Sequence, residues 1–571
     1  MEVHLVETFQ EAETFMSWLG ERRPILAMDT ETGGLDWWKD ELRLVQFGDS
    51  ECGWAIPFHL WGGLALDAIR TYDGPITFHN AKFDVRYLNT NGAELSYGKV
   101  HDTRVMAVLL EPDKRSGLKD LGVRLLGADA DEWESALNKA KAQGKWNWAT
   151  VPTTLPEYWQ YACMDTILTA RLYELLNPRI TGRLREVYEL EIAVENIIDD
   201  MERRGIHIDI PYCKYQFESM TDASLSLSTW CEKEYGFGVG SNAKVAAQLQ
   251  KDGVLLTKMT PGGGWSVDES VLKTIDHPLA IAVIKSRKAN RYASAYFGNY
   301  ITMSDEGFLH PDVNILGART GRMSISRPAL QQIPRDALLR NAFIPRDGNA
   351  LVSVDYDQIE MRLFTHFCKD PGLIAAFQEG DFFLNAASLI HHTPITDKKD
   401  PRRQLTKNAS YAKIYGAGPN KFAETAEVPI EDATMFLMEY DAAFPGVHTF
   451  QQAIINLAKG RIIEEGSAFV NTPLGRREPA NEDDLYKLVN YLVQGTAADV
   501  FKQSLVQLDR MGLTENFVLP VHDELVFDVP LSEAEEFGRT VKAAMERTDF
   551  TVPLTCGMDI LERWGNKYEY E

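Results

Sequence analysis

Acidic residues at the ends of apolar runs are the side chains here best placed to do chemistry. Asp29-Thr30-Glu31-Thr32 follows the apolar run PILAM. Alternate residues of a strand share a face, so Asp29 and Glu31 project together. Two carboxylates on one face repel unless a cation lies between them. Mg2+ or Mn2+ suits such an all-oxygen set. Alone, D-x-E reads better as a solvated strand end. Two more segments add to it. Asn80-Ala81-Lys82-Phe83-Asp84 opens a helical pattern, and Tyr161 and Asp165 lie in another. At a spacing of four, Tyr161 and Asp165 share a helix face.

A second set lies far downstream. Asp355-Tyr356-Asp357-Gln358-Ile359-Glu360 follows the run ALVSV, and Val521-His522-Asp523-Glu524 sits between two apolar runs. Between these sets come Arg403, Lys407, Tyr411 and Tyr415, spaced by four. Each such step drifts only about 40° around a helix, so the four form one slanting stripe. The stripe starts with two cations and ends with two aromatic rings. That order can grip a triphosphate at one end and stack on a base at the other. The plainer reading is an amphipathic helix with its basic residues in solvent.

Those residues need scaffolds. PILAMDTET, LRLVQFGD and PITFHN read as strands, and AKFDVRYLNTNG as a helix with a glycine stop. This predicts an α/β domain to about residue 180. LREVYELEIAVENIIDDMERRG reads as a long amphipathic helix closed by Gly205, and PLAIAVIKSRKANRYASAYFGNYI as a helix with a basic stripe. The PGGG at 261–264 falls in a loop between them. Strands return with ALVSVDYD and with FVLPVHDELVFDV, a hairpin carrying HDE at its tip. Two strands ending in aspartate could meet in one sheet.

Composition bounds the rest. A chain of 571 residues is too long for one core, so several units are expected. The N-terminus lacks a signal-peptide pattern, and no apolar run reaches the roughly 20 residues of a membrane span. Six scattered cysteines without a C-x-x-C pair read as free thiols in a cytoplasmic setting. The net charge of −24 argues against a nucleic-acid partner at first sight. Binding is local, however. Arg319, Arg322, Arg327, Arg335, Arg340 and Arg346 fall in one stretch, and Arg402, Arg403, Lys407 and Lys413 in another. The four tryptophans of segment 131–159 are expected to pack within the first domain rather than dock a partner.

In this order the first three segments resemble the Exo I, II and III motifs of DnaQ-like 3′→5′ exonucleases. DYDQIE, RxxxKxxxYxxxYG and VHDE resemble motifs A, B and C of family A DNA polymerases. Thr320-Gly321-Arg322, running on to Leu330-Gln331-Gln332-Ile333-Pro334, resembles that family's primer-template stretch, and Gln494-Gly495-Thr496-Ala497-Ala498-Asp499 the helix after its fingers. The resemblance covers nearly the whole chain. It implies a multidomain fold: an α/β RNase H-like exonuclease domain over 1–180, then a right-hand polymerase. The thumb would take 181–300, an α+β palm 301–368 and 496–571, and helical fingers 369–495. It also implies no 5′ nuclease domain ahead of Exo I.

The roles implied by the resemblance are specific. Asp29, Glu31, Asp84 and Asp165 would ligate two Mg2+ ions, with Tyr161 positioning the attacking water. Asp355, Asp523 and the Tyr356 carbonyl would hold two more, and Mn2+ could substitute. Arg403 and Lys407 would bind the dNTP phosphates, and Lys407 would protonate pyrophosphate. Tyr415 would stack near the templating position, with Tyr411, Gln358 and Tyr356 also at the nucleotide. Glu360 would exclude a ribose 2′-OH by clash. Arg322, His522, Asn490 and Gln494 would contact primer-template DNA. A monomer is expected, without an identifiable processivity factor.

Some positions depart from the family pattern. Tyr411 stands where many bacterial relatives have Phe, Phe383 replaces a histidine, Tyr486 an arginine, and Ala329 and Gln332 asparagines. Phage genome replication in a host cytoplasm is the expected role, with a bacterial repair polymerase as the alternative. Single-subunit RNA polymerase, nuclease with a DNA-binding region, and structural replisome subunit are rival readings. Glu360 and the two intact aspartate sets count against them.

Overall fold

The computed structural model describes residues 1–21, 23–127, 130–378 and 380–568. The N-terminal module is built on a mixed sheet. Its strands are β1 (Glu2–Leu5), β2 (Leu26–Thr32), β3 (Leu42–Gly48), β4 (Cys52–Pro57), β5 (Ile76–Phe78) and β6 (Val100–Asp102), in spatial order β1-β4-β3-β2-β5-β6. The three strands expected here are β2, β3 and β5. β2 lies between β3 and β5, and its Leu26, Ala27 and Met28 are fully buried. The helix Pro156–Leu176 crosses β2, β3 and β4. It comes close because β4 offers Gly53, where a Cβ would lie 2.8 Å from the Cys163 carbonyl oxygen. The tryptophan-rich segment packs within this module. Trp146 and Trp159 lie against buried Leu137, Val151 and Tyr158.

The helix Arg183–Arg204 follows and ends at Gly205, whose φ of 69° favours glycine. Two long helices, Ile210–Tyr235 and Pro278–Arg291, then pack together. The second was expected to continue to residue 301. It passes instead through a π-helical turn, Tyr292–Gly298, before Asn299–Met303. The PGGG loop is a tight turn closed by a bridge between Met259 and Trp265.

The C-terminal sheet is antiparallel, in the order Phe517–Val521, Glu524–Pro530, Asn349–Tyr356, Cys556–Arg563, Asn566–Lys567. The two strands expected to meet do so, with Asp355 opposite Glu524. The helix Ala534–Met545 packs against this sheet and against the helix Lys487–Arg510. The helices Phe382–Ile390, Pro401–Tyr415, Pro419–Ala426, Ile430–Ala443 and Pro445–Glu465 form the insertion between its strands. The expected boundary at 495/496 falls inside the unbroken helix Lys487–Arg510, and that at 300/301 inside Asn299–Met303. One apolar core runs from the sheet through Val194, Ile197 and Ile198 to Val105 and Leu172 of the N-terminal module. Among the described residues, no helix is long and apolar enough to cross a membrane.

Candidate active sites

The first site forms where β2 meets the helix Pro156–Leu176. Oxygens of Asp29, Glu31 and Asp165 all lie within 4.8 Å of one another, as a shared cation requires. Burial pushes the Asp29 carboxyl up to about 7 against the pull of Lys119. It also raises Glu31, where the charge of Asp29 adds to the effect. Such a cluster takes up protons or a cation rather than staying bare. Asp84 is buried beside the trio. Its Oδ1 accepts from the Thr30 amide (2.9 Å) and hydroxyl (2.6 Å). Burial, then the Asp29 charge, raises Asp84 as well.

Local sequence explains these placements. Asn80, at φ 78°, precedes the helix Ala81–Thr90, and Asn tolerates that left-handed conformation. Asp102 accepts from the amides of Asn80 (3.2 Å) and Ala81 (2.6 Å) while capping its own helix at Arg104 (2.7 Å). One carboxylate thus ties two helix starts, one of which presents Asp84. Pro156 opens the helix that carries Tyr161 and Asp165.

The second site is a cavity of about 510 Å³ above the C-terminal sheet. It is lined by Arg322, Asp355, Tyr356, Gln358, Glu360, Tyr411, Tyr415, His522, Asp523 and Glu524. His522 and Asp523 form the tip of the hairpin, with His522 at φ 58°. The Tyr356 amide donates to the Asp523 carbonyl at 3.2 Å, which fixes the tip beside the Asp355 strand. Burial, with Glu524 and Asp523 adding charge, pushes Asp355 up to about 7. Burial raises Asp523 too, against Arg322. Arg322 is 2.5 Å from Glu360 and 3.6 Å from Asp523, and the Tyr415 hydroxyl donates to Glu360 at 3.1 Å. Glu524 is held by Ser353 at 2.6 Å.

Not every expected residue reaches this cavity. Arg403 forms a two-pronged pair with Asp381, at 3.1 and 2.6 Å. Arg403 and Lys407 flank the Phe383 ring at 5.8 and 5.9 Å, outside the cavity lining. Tyr411 and Tyr415 stack at 6.2 Å, as the stripe requires. The Tyr356 ring is turned into the core, its hydroxyl on Ser504, leaving the backbone toward the cleft. Gln494 meets Thr320 at 3.4 Å. The Gln358 Oε1 and Asn490 Oδ1 atoms are buried without a partner among the described residues. Of the arginine-rich stretch, only Arg322, Arg335 and Arg340 line the cavity. Arg319 bonds the Pro479 carbonyl, Arg327 pairs with Asp36, and Arg346 with Asp528. Sequence reasoning missed Lys119, which is ion-paired to Asp165. No motif spacing marks it.

Known proteins share the two modules that carry these sites. The DNA polymerase family A pattern matches residues 217–566, and a 3′-5′ exonuclease pattern matches residues 3–181. The chain belongs to DNA polymerase family A. It is a DNA-directed DNA polymerase with a 3′-5′ exonuclease domain. A DNA polymerase of Mycobacterium phage L5 is 30% identical over 593 residues, covering 99% of this chain and 97% of that one. One of phage D29 is 28% identical over 600 residues, again covering 99% and 97%. DNA polymerase I of Chloroflexus aurantiacus is 27% identical, covering 85% of this polymerase but 54% of the bacterial protein. The POL domain of Pol1 from M. smegmatis, solved with DNA primer-template and dNTP, shares the polymerase's fold. Its TM-score is 0.81 at 23% identity, over 99% of each chain.

Proposed function

We propose that Asp355 and Asp523 are the metal-binding aspartates of primer extension, and that Asp29, Glu31, Asp84 and Asp165 serve proofreading. The observation that carries this is Asp355 beside the Asp523 hairpin tip, in one cavity with Arg322, Tyr411 and Tyr415. Raised carboxyl groups at both sites support a divalent cation, and their all-oxygen chemistry favours Mg2+, with Mn2+ as substitute. Bound in pairs, such ions activate an oxygen nucleophile and stabilise a leaving oxygen.

The side chains divide the remaining work. Glu360 walls the sugar position, with Arg322 and Tyr415 fixing its carboxylate. Tyr415 offers an exposed ring at the cavity rim for the templating base. Arg403 and Lys407 take the triphosphate, with Lys407 as proton donor to pyrophosphate. Tyr411 and the Tyr356 and Gln358 backbone border the nucleotide. Arg322, His522, Asn490 and Gln494 meet primer-template DNA, which would satisfy the unpaired Asn490 acceptor. Tyr161 positions water at the exonuclease site. The phage relatives favour genome replication; that it acts as a monomer in a host cytoplasm belongs to the same proposal.

The test is extension of a 5′-labelled primer with Mg2+, with and without dNTPs. The parent should extend with dNTPs and digest without them. Asp523→Ala should lose only extension, and Asp29→Ala only digestion. Full extension by Asp523→Ala would overturn the assignment of the cleft.

A further inference from the structure

Lys119 lies in the first turn of the helix Leu118–Leu126, and its side chain is 18% exposed. Its ammonium pairs with Asp165 and also lies 4.4 Å from the centre of the Tyr161 ring. Asp165 and Tyr161 stand one turn apart on a single helix face. One cation therefore orients both side chains, by charge on one and over the ring of the other. The same charge opposes the rise of Asp29 and Glu31. A second lysine, Lys141, also draws on Glu31, but its ammonium sits over the Trp148 ring, 3.2 Å from its centre.

We infer that Lys119 is a positioning residue of the 3′→5′ exonuclease, holding Asp165 and Tyr161 and standing in for a divalent ion until one arrives. The inference rests on reading the four carboxylates as the exonuclease centre. An ammonium and a divalent cation compete for the same Asp165 carboxylate. Metal entry therefore displaces the ammonium from Asp165, while its contact with Tyr161 keeps it in the site. Loss of the charge has two effects of opposite sign. Metal binds more tightly, because one competing cation is gone. Turnover falls, because Tyr161 loses its anchor. A merely structural lysine would, when removed, weaken both together.

The experiment uses full-length Lys119→Met and Lys119→Arg. Mn2+ binding at the exonuclease centre is read by electron paramagnetic resonance in an Asp523→Ala background. Primer digestion and extension are assayed in the otherwise unaltered chain. Lys119→Met should bind Mn2+ severalfold more tightly and digest primer roughly 100-fold more slowly, the cost of a misplaced reacting group. Its extension should match the parent, and Lys119→Arg should recover most of the digestion. Unchanged or weaker Mn2+ binding, or digestion within twofold of the parent, overturns the inference. Should Lys119→Met fail to fold, Lys119→Gln carries the same expectations. Asp29→Ala separates the two readings. If it still digests primer, the carboxylate assignment is wrong. If it stops digestion while Lys119→Met does not, only the role of Lys119 is wrong.

Discussion

The Lys82 ammonium lies 2.5 Å from the Glu202 carboxylate, joining the helix that carries Asp84 to the helix Arg183–Arg204. Around this pair, Lys82 also reaches Asp312 at 3.1 Å and the Val313 carbonyl at 2.6 Å. Arg86 pairs with Asp199 at 2.7 Å and with Glu202. The Val313 amide donates to Glu202 at 2.6 Å. Lys82 and Arg86 flank Asp84 by two residues on either side, so the helix that carries Asp84 is fastened to the polymerase body by buried charges. Removing one partner leaves the others uncompensated, a loss of about 3–5 kcal/mol. Glu202→Gln should show that loss in urea unfolding, and its primer digestion should fall more than its extension. Equal losses in both assays would dissociate the junction from Asp84.

Burial pushes the Asp29 carboxyl up to about 7 in the folded, metal-free protein, from an ordinary 3.8. Between those values the folded state binds more protons than the unfolded one, so stability falls as pH rises from 4 through 7. Metal-free protein at pH 8 therefore carries the full penalty of a buried, ionised Asp29. Asp29→Asn should raise the metal-free melting temperature at pH 8 and leave it nearly unchanged at pH 4. Scanning calorimetry in chelator at both pH values is the check.

Metal uptake should follow the same protons. With Asp29 and Asp355 both near 7, a divalent ion must displace protons below that pH. Mn2+ affinity at each site should weaken as pH drops from 8 to 6. Calorimetry in buffers of different ionisation enthalpy should record a proton release that grows as pH falls.

Tyr411 lines the polymerase cavity next to Tyr415; the role we propose for its hydroxyl is to stand in for a missing sugar 3′-OH. Tyr411→Phe should raise discrimination against dideoxynucleotides by about tenfold, the worth of one hydrogen bond. Identical incorporation ratios for mutant and parent would remove that role.

Asp381 caps the helix Phe382–Ile390 at the Leu384 amide (3.1 Å) and holds both prongs of Arg403. Asp381→Asn keeps the cap, since Asn caps as well as Asp, but deletes a negative charge beside the proposed triphosphate grip. The KM for dNTP should fall severalfold with kcat nearly unchanged, as steady-state single-nucleotide insertion would show.

Much of both sites is written locally in the chain. β2 could be read because an apolar run ending in D-x-E has only one way to bury its side chains and present both acids. The hairpin around Asp523 could be read because two apolar runs flank HDE; the structure leaves His522 and Asp523 for the turn and pairs Glu524 in the second strand. The stripe from Arg403 to Tyr415 follows from helical spacing alone. These are short-range consequences of period and burial.

What tertiary structure decided is which charged groups meet. Spacing on one helix faces Arg403 and Lys407 along a stripe, but it does not reveal that Asp381, from another helix, captures Arg403. The arginine-rich stretch looks uniform in sequence, yet it divides among the cavity, the Asp36 contact and the Asp528 pair. Lys119 carries no motif and reaches Asp165 only because its helix packs on Pro156–Leu176. The helix Lys487–Arg510 runs through an expected domain boundary because its buried face, from Leu488 to Leu508, packs continuously. Charge pairing depends on distance in space, and long-range packing sets that distance. Sequence determined which side chains could do chemistry, and the packing of modules decided which of them stand together.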